Sequence, residues 1–197
     1  MPAGAIRRTY HHGALREALL DGARELLAER GAEGFSLNEL ARRVGVSSAA
    51  PYRHFTDREA LLSALRDEGY DTFGAAQRAA AAQASDPADR IIRLVAAYLR
   101  FAEENNAIFG MMFRHWSWAE VRSDTFAPLV GAVTEAQGAG FLPAGQSATT
   151  LARTIWCTVH GLTTLRLTGG LTKLGLDAPT DDLIRDTFAA ILRDPAG

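Results

Sequence analysis

The chain has 197 residues, 47% hydrophobic and 22% charged, with a formal net charge of -2 and one cysteine, Cys157. That balance excludes a disordered segment and an intrachain disulfide framework, and it suits one or two small domains whose cores fold without staples. No stretch is apolar enough for a bilayer, and the opening run MPAGAIRRTYHHGALREALL lacks the apolar core and cleavage site of an export signal. A cytoplasmic protein with no membrane partner is expected.

Almost every periodic segment reads as helix, and none alternates with β-branched enrichment, so the expected fold is all-α. Residues 1–60 carry nine arginines against eight acids, and Arg7, Arg8, His11, His12 and Arg16 gather positive charge ahead of the first helix. In that helix Leu15, Leu19, Leu26 and Leu27 share a face, and Gly31 supplies a left-handed stop. GFSLNEL then signs a second helix: Ser36 as cap, Glu39 reaching back to the cap N–H, and Phe35 stapled onto Leu40. Leu37, Leu40, Ala41 and Val44 face inward, and Gly45 allows a tight turn. The run VGVSSAAPYRHF predicts another helix, of about two turns, capped by Ser47 or Ser48. Pro51 falls in its first turn, where the missing N–H costs little. FTDREALL repeats the capping device with Thr56 and Glu59, opening a long helix through Leu61, Leu62, Leu65 and Phe73.

A short helix, a glycine turn and a second short helix over 36–55 make a helix-turn-helix, a geometry that also serves as plain bundle architecture. The run Ser36-Leu37-x-x-Leu40-Ala41-x-x-Val44-Gly45-Val46-Ser47, followed by Tyr52-x-His54-Phe55 and Asp57-Arg58-x-x-Leu61, resembles the N-terminal domain of the TetR family of bacterial transcriptional regulators. The resemblance covers about 13–73 and implies a three-helix DNA-binding domain. It implies that Tyr52 and His54 touch the DNA backbone, that Arg58 touches phosphate and that Phe55 is core. Val44 replaces a common alanine and Arg58 a frequent lysine, both mild departures. The candidate DNA-binding set is Ser36, Ser47, Ser48, Ala49, Ala50, Tyr52, Arg53, His54 and Arg58. Its serines and alanines are small and discriminate weakly between bases; Arg53 is the one long basic side chain in the recognition segment, set against a base or a phosphate. The arm around Arg7, Arg8, Tyr10 and His11 is either a solvated tail or a further backbone or minor-groove contact.

Beyond Gly74, the alanine-rich GAAQRAAAAQASDPADR reads as a helix end and connection, with the domain boundary inside it. A second, helical domain is expected over 86–194. Ile91, Ile92, Val95, Leu99 and Phe101 build an apolar helix, and IFGMMFRHWSWAEV clusters aromatics and methionines suited to a core or a pocket. The candidate pocket residues are Phe109, Met112, Phe113, Trp116, Trp156 and His160. A helix from about 146 to 167 ends at Gly169-Gly170, and a last helix is capped by Thr180, with Asp181 and Asp182 in its first turn and Ile184, Phe188, Ile191 and Leu192 inside. Trp156-x-x-x-His160-Gly161 resembles the Trp-His-Gly motif of one subgroup of TetR-type C-terminal domains. His160 has three readings: a core histidine bonded to a neighbour, an effector contact, or half a metal site with Cys157. No nearby Cys or His completes a fourfold set, and no cofactor or metal is expected.

The sequence thus points to a homodimeric regulator of a double-stranded DNA operator, a repressor released by a small apolar or aromatic effector. Control by a protein partner would instead expose an apolar patch. A helical enzyme is disfavoured: no phosphate loop, nucleophile elbow, HExxH or paired CxxC is present, and Cys157 reads as buried.

Overall fold

A computed structural model of the chain describes residues 12–114 and 125–192. All of its regular elements are helical: α1 (His12–Arg30), α2 (Leu37–Val44), a 3-10 turn (Pro51–Arg53), α3 (Arg58–Ala81), α4 (Pro87–Glu104), α5 (Asn106–Arg114), α6 (Ala127–Gly138), α7 (Ala148–Leu167), α8 (Gly170–Lys173) and α9 (Thr180–Ala189). They fall into two compact units, Met1–Asp67 and Glu68–Gly197. The division lies within α3, ahead of the alanine-rich stretch where a boundary is expected from sequence. That stretch stays helical to Ala81 because alanine is the best helix former and nothing in it breaks the backbone ladder.

In the first unit, Leu19, Leu20, Leu26, Leu27, Leu40, Phe55 and Leu61 form the core. Gly22 lets α1 and α2 close on each other: a Cβ there would meet Val44 Cγ2 at 3.0 Å and Leu40 Cδ1 at 3.1 Å. Arg43 reinforces the seam with a two-pronged bond to Glu29, both N···O distances 2.7 Å, and holds that carboxyl below its usual range. Ser36 caps α2, its Oγ accepting from the Glu39 N–H at 3.2 Å. The expected reciprocal bond is replaced, because the Glu39 carboxylate pairs with Arg30. Gly45, at φ 76°, closes α2 in the left-handed conformation, and the Val46 N–H bonds to Ala41 O at 2.9 Å. At α3 the cap is Asp57, one residue after the expected Thr56: Asp57 Oδ1 accepts from the Ala60 N–H at 2.8 Å, and Glu59 reaches Arg66 at 3.0 Å.

In the second unit α4 is the central element, burying Ile91, Leu94, Val95, Leu99 and Phe101 against α6, α7 and α9. Asp86 caps it, accepting from the Asp89 N–H at 2.8 Å. The sequence reading leaves α6 unassigned: its inward face is Ala132, Val133 and Ala136, too small to stand out as a hydrophobic stripe. Thr180 is not the cap of α9. Pro179 precedes the helix, and the Thr180 hydroxyl bonds to the Glu103 carboxylate at 3.2 Å, while Asp181 and Asp182 do lie in the first turn. Along α7, Thr154, Thr158, Thr164 and Thr168 each donate their hydroxyl to the carbonyl four residues back, at 2.8–3.1 Å. Cys157 and Gly161 are exposed among them, so Cys157 is not the buried residue its helical setting suggests.

Candidate functional site

The recognition segment departs from the expected two-turn α-helix. The Ala50 N–H bonds to Ser47 O at 2.9 Å, Arg53 N–H to Ala50 O at 3.2 Å and His54 N–H to Pro51 O at 2.9 Å, all three residues back. Pro51 has no N–H to offer the Ser47 carbonyl, which Ala50 takes instead, and the backbone tightens into a turn followed by 3-10 helix. Neither Ser47 nor Ser48 caps it; Ala50 precedes it with no side-chain cap.

The faces sort accordingly. Pro51 and Phe55 are buried, and so is Ala50 at 8% exposure, which removes Ala50 from the surface a DNA contact requires. Ser47, Ser48, Ala49 and Arg53 are exposed, Tyr52 is 52% exposed, and His54 is half-buried. Ser36 is exposed as well; with one lone pair used in capping, its hydroxyl proton stays available as a donor. Arg58 is turned inward. Its Nε donates to Phe35 O at 3.1 Å, its guanidinium stacks 5.7 Å from the Phe35 ring centre, and its Nη2 is buried. It is in the first place a tie between α3 and the loop before α2. Arg7, Arg8, Tyr10 and His11 lie outside the described residues.

The second unit holds a cavity of about 480 Å³. Its walls are apolar and aromatic: Phe73 from α3, Leu94, Val95 and Tyr98 from α4, Phe113 from α5, Phe126 and Leu129 at α6, and Trp156 and Val159 from α7. Of the residues expected there, Phe113 and Trp156 line it. Phe109 and Met112 are core, at 4% and 0% exposure, and Trp116 lies outside the described residues. His160 is not a wall residue but braces two that are. Its ring stacks on Trp156, centres 5.6 Å apart and planes 26° from parallel, and its Nδ1 lies 2.8 Å from the Tyr98 hydroxyl.

Burial pushes the Tyr98 hydroxyl strongly up, against a lowering contribution from Trp156 and with a raising one from Tyr70, and burial holds His160 below its ordinary value. Tyr98 therefore stays a protonated phenol and His160 a neutral imidazole; we assign the bond as the Tyr98 O–H donating to Nδ1, with the ring's own proton on Nε2. The first of the three histidine readings describes this geometry. Among the described residues no group of three His, Cys, Asp or Glu could hold a metal.

Sequence reasoning misses the polar wall residues Gln77, Thr125, Thr149 and Arg153. Gln77, 7% exposed, spends its Nε2 on Leu94 O at 3.0 Å. Thr149 and Arg153 fall on the same helical face as Trp156 and His160, but that this face turns to the cavity is decided by packing and not by the register of α7 alone.

Residues 19–65 match the family model for bacterial regulatory proteins of the tetR family, and 91–191 match the tetracyclin repressor-like C-terminal domain. The HTH-type transcriptional repressor Rv1474c of Mycobacterium tuberculosis is 37% identical over 65 residues, 33% of this chain and 35% of that protein. The chain spans half or less of the length of several curated relatives it matches, this one included. A Rhodococcus protein of unknown function superposes with a TM-score of 0.80 at 36% identity, covering 95% of this chain and all of its own. PfmR of Thermus thermophilus, a TetR family regulator, superposes with a TM-score of 0.69 at 23% identity over 89% and 97% of the two chains, a likeness of fold. No described helix is long and apolar enough to cross a membrane.

Proposed function

The chain belongs to the TetR family of bacterial regulatory proteins, and from that premise we propose that it is a cytoplasmic, homodimeric repressor of transcription, released from its operator by a small apolar or aromatic effector. The observation that carries the reading is the sorting of 47–55, with Ala50, Pro51 and Phe55 buried while Ser47, Ser48, Ala49, Tyr52 and Arg53 stand exposed. A segment so anchored presents a rigid edge to the major groove, where Ser47, Ser48 and Ala49 meet base edges and Arg53 meets a guanine or a phosphate. Ser36, Tyr52, His54 and the accessible edge of Arg58 hold the backbone.

The dimer seam is the outward face of α7. Its threonine hydroxyls are satisfied within the helix, so methyl groups, Cys157 and the bare Gly161 meet the partner, and a two-fold axis presents two recognition segments about one DNA turn apart. The concave, mostly apolar lining of the cavity favours a small molecule over a protein partner as the signal, bound rather than transformed. Release requires the effector to bind the DNA-incompatible state more tightly, so its affinity falls when operator is bound.

The test is titration of the protein onto DNA from upstream of its own coding region, with a scrambled duplex at the same salt. Preferential binding of two protomers per site is expected. Equal binding to both duplexes, followed by failure to select any sequence from a random pool, refutes the reading.

A further inference from the structure

The cavity is lined by fourteen described residues, thirteen of them uncharged; the other is Arg153. Arg153 is exposed, stands in the second turn of α7, and its side chain has no ion pair or hydrogen bond among the described residues. A guanidinium stays charged at any physiological pH and offers five donors in a fork that fits a carboxylate. Thr149, one turn earlier on the same face, adds a hydroxyl, and the α7 N-terminus contributes positive potential to the same end of the cavity. Farther along that face come Trp156 and Val159, with Tyr98, Phe73 and Leu94 from the neighbouring helices.

Charge therefore gathers at the Arg153 end and apolar surface everywhere else. We infer that the effector is an amphipathic carboxylate, its head bound two-pronged by Arg153 and its apolar body laid against Trp156 and Tyr98. This rests on the effector reading above and narrows it. At the ~30 Å³ that each water takes in the liquid, the 480 Å³ cavity holds about sixteen non-hydrogen atoms, the size of a medium-chain or aryl-alkyl acid. An aromatic wall also suits a quaternary ammonium group, but an acidic partner is missing among the described lining residues and Arg153 repels a cation.

The test displaces the neutral dye Nile red from the full-length protein, without DNA, using dodecanoate, methyl dodecanoate and dodecyltrimethylammonium. Dodecanoate is expected to compete about tenfold to hundredfold better than its ester, the range of a charge-assisted bond. Arg153→Gln should erase that preference while leaving the ester unchanged, and Arg153→Lys should restore part of it. Arg78→Gln, in the small adjoining cleft, should change nothing. The carboxylate assignment falls if acid and ester compete equally, if the ammonium competes best, if Arg153→Gln weakens acid and ester alike, or if Arg78→Gln alone removes the preference; in each case the cavity remains an effector site. If neither the dye nor any of the three ligands binds, the effector reading fails with it.

Discussion

Replacing Tyr98 by Phe removes one atom from the second unit and leaves its ring packing in place. The ring stays edge-on to Phe73 at 5.4 Å and to Phe109 at 5.6 Å. What disappears is the 2.8 Å bond from the hydroxyl to His160 Nδ1, leaving a half-buried acceptor unpaired. The cost is about 1–2 kcal/mol, or roughly 2–8 °C in melting temperature for a chain of this size. The pH dependence follows from His160. Burial lowers its folded pKa below the 6.5 of the free side chain, so the unfolded chain takes up a proton first as pH falls. The stability tied to the neutral imidazole is thus complete above about pH 6.5 and is lost as pH drops through the lowered folded value. Because the Tyr98 proton favours the neutral ring, the variant's imidazole protonates more readily, and the penalty of the substitution shrinks in acid. Urea unfolding of both proteins at about pH 7.5 and about pH 5.5 measures this. A penalty below ~0.5 kcal/mol at both values, or one that grows on acidification, refutes the assigned tautomer and bond direction.

Asp57→Ala should cost ~1 kcal/mol through loss of the α3 cap, while Thr56→Ala stays within ~0.5 kcal/mol by the same denaturation assay. Arg58→Ala should destabilise the chain by about 1–3 kcal/mol, because the Phe35 carbonyl loses its partner, and any loss of DNA affinity must be corrected for that unfolding. Arg53→Ala should leave stability within ~0.5 kcal/mol and weaken operator binding. A uniform loss across sequences with a salt slope shallower by about one marks a phosphate contact, and a relaxed preference at one position marks a base. A Cβ added at Gly161 meets nothing within 4 Å in its own chain, so for Gly161→Leu light scattering should find a folded protein with weakened self-association; an unchanged dimer would remove α7 from the seam.

The helices whose apolar residues are large were legible from sequence: α1, α2, α4 and α7 lie where periodicity puts them, whereas α9 begins at Thr180, beside its expected start, but ends at Ala189, leaving Ile191 and Leu192 half-buried beyond it. Boundaries failed where two residues compete for one job. Thr56 and Asp57 can each accept from the first turn of α3, and the charged oxygen of Asp57 takes the position. Glu39 fits a capping box by spacing, yet Arg30, distant in sequence, offers a stronger bond than a neutral N–H. Pro51 was seen and its helical cost weighed, but not that the carbonyl it leaves free would be taken three residues on. At the cavity the aromatic signal of Phe113 and Trp156 was readable. Arg153 and Thr149 were not, because only the packing of α4, α6 and α7 decides which side of α7 faces a void.

If α7 is the dimer seam as proposed, the back-bonded threonines on its exposed face set how the protein's two associations respond to their surroundings. A seam of methyl groups carries no charge to screen, so dimerisation should be nearly indifferent to ionic strength, loosen on cooling and show a negative heat-capacity change. Operator binding should respond the other way: wherever a basic side chain neutralises a phosphate, salt weakens it as the counterion returns. With that seam, a rise in salt should strip the regulator from DNA as an intact pair, whereas cold and dilution should take the pair itself apart.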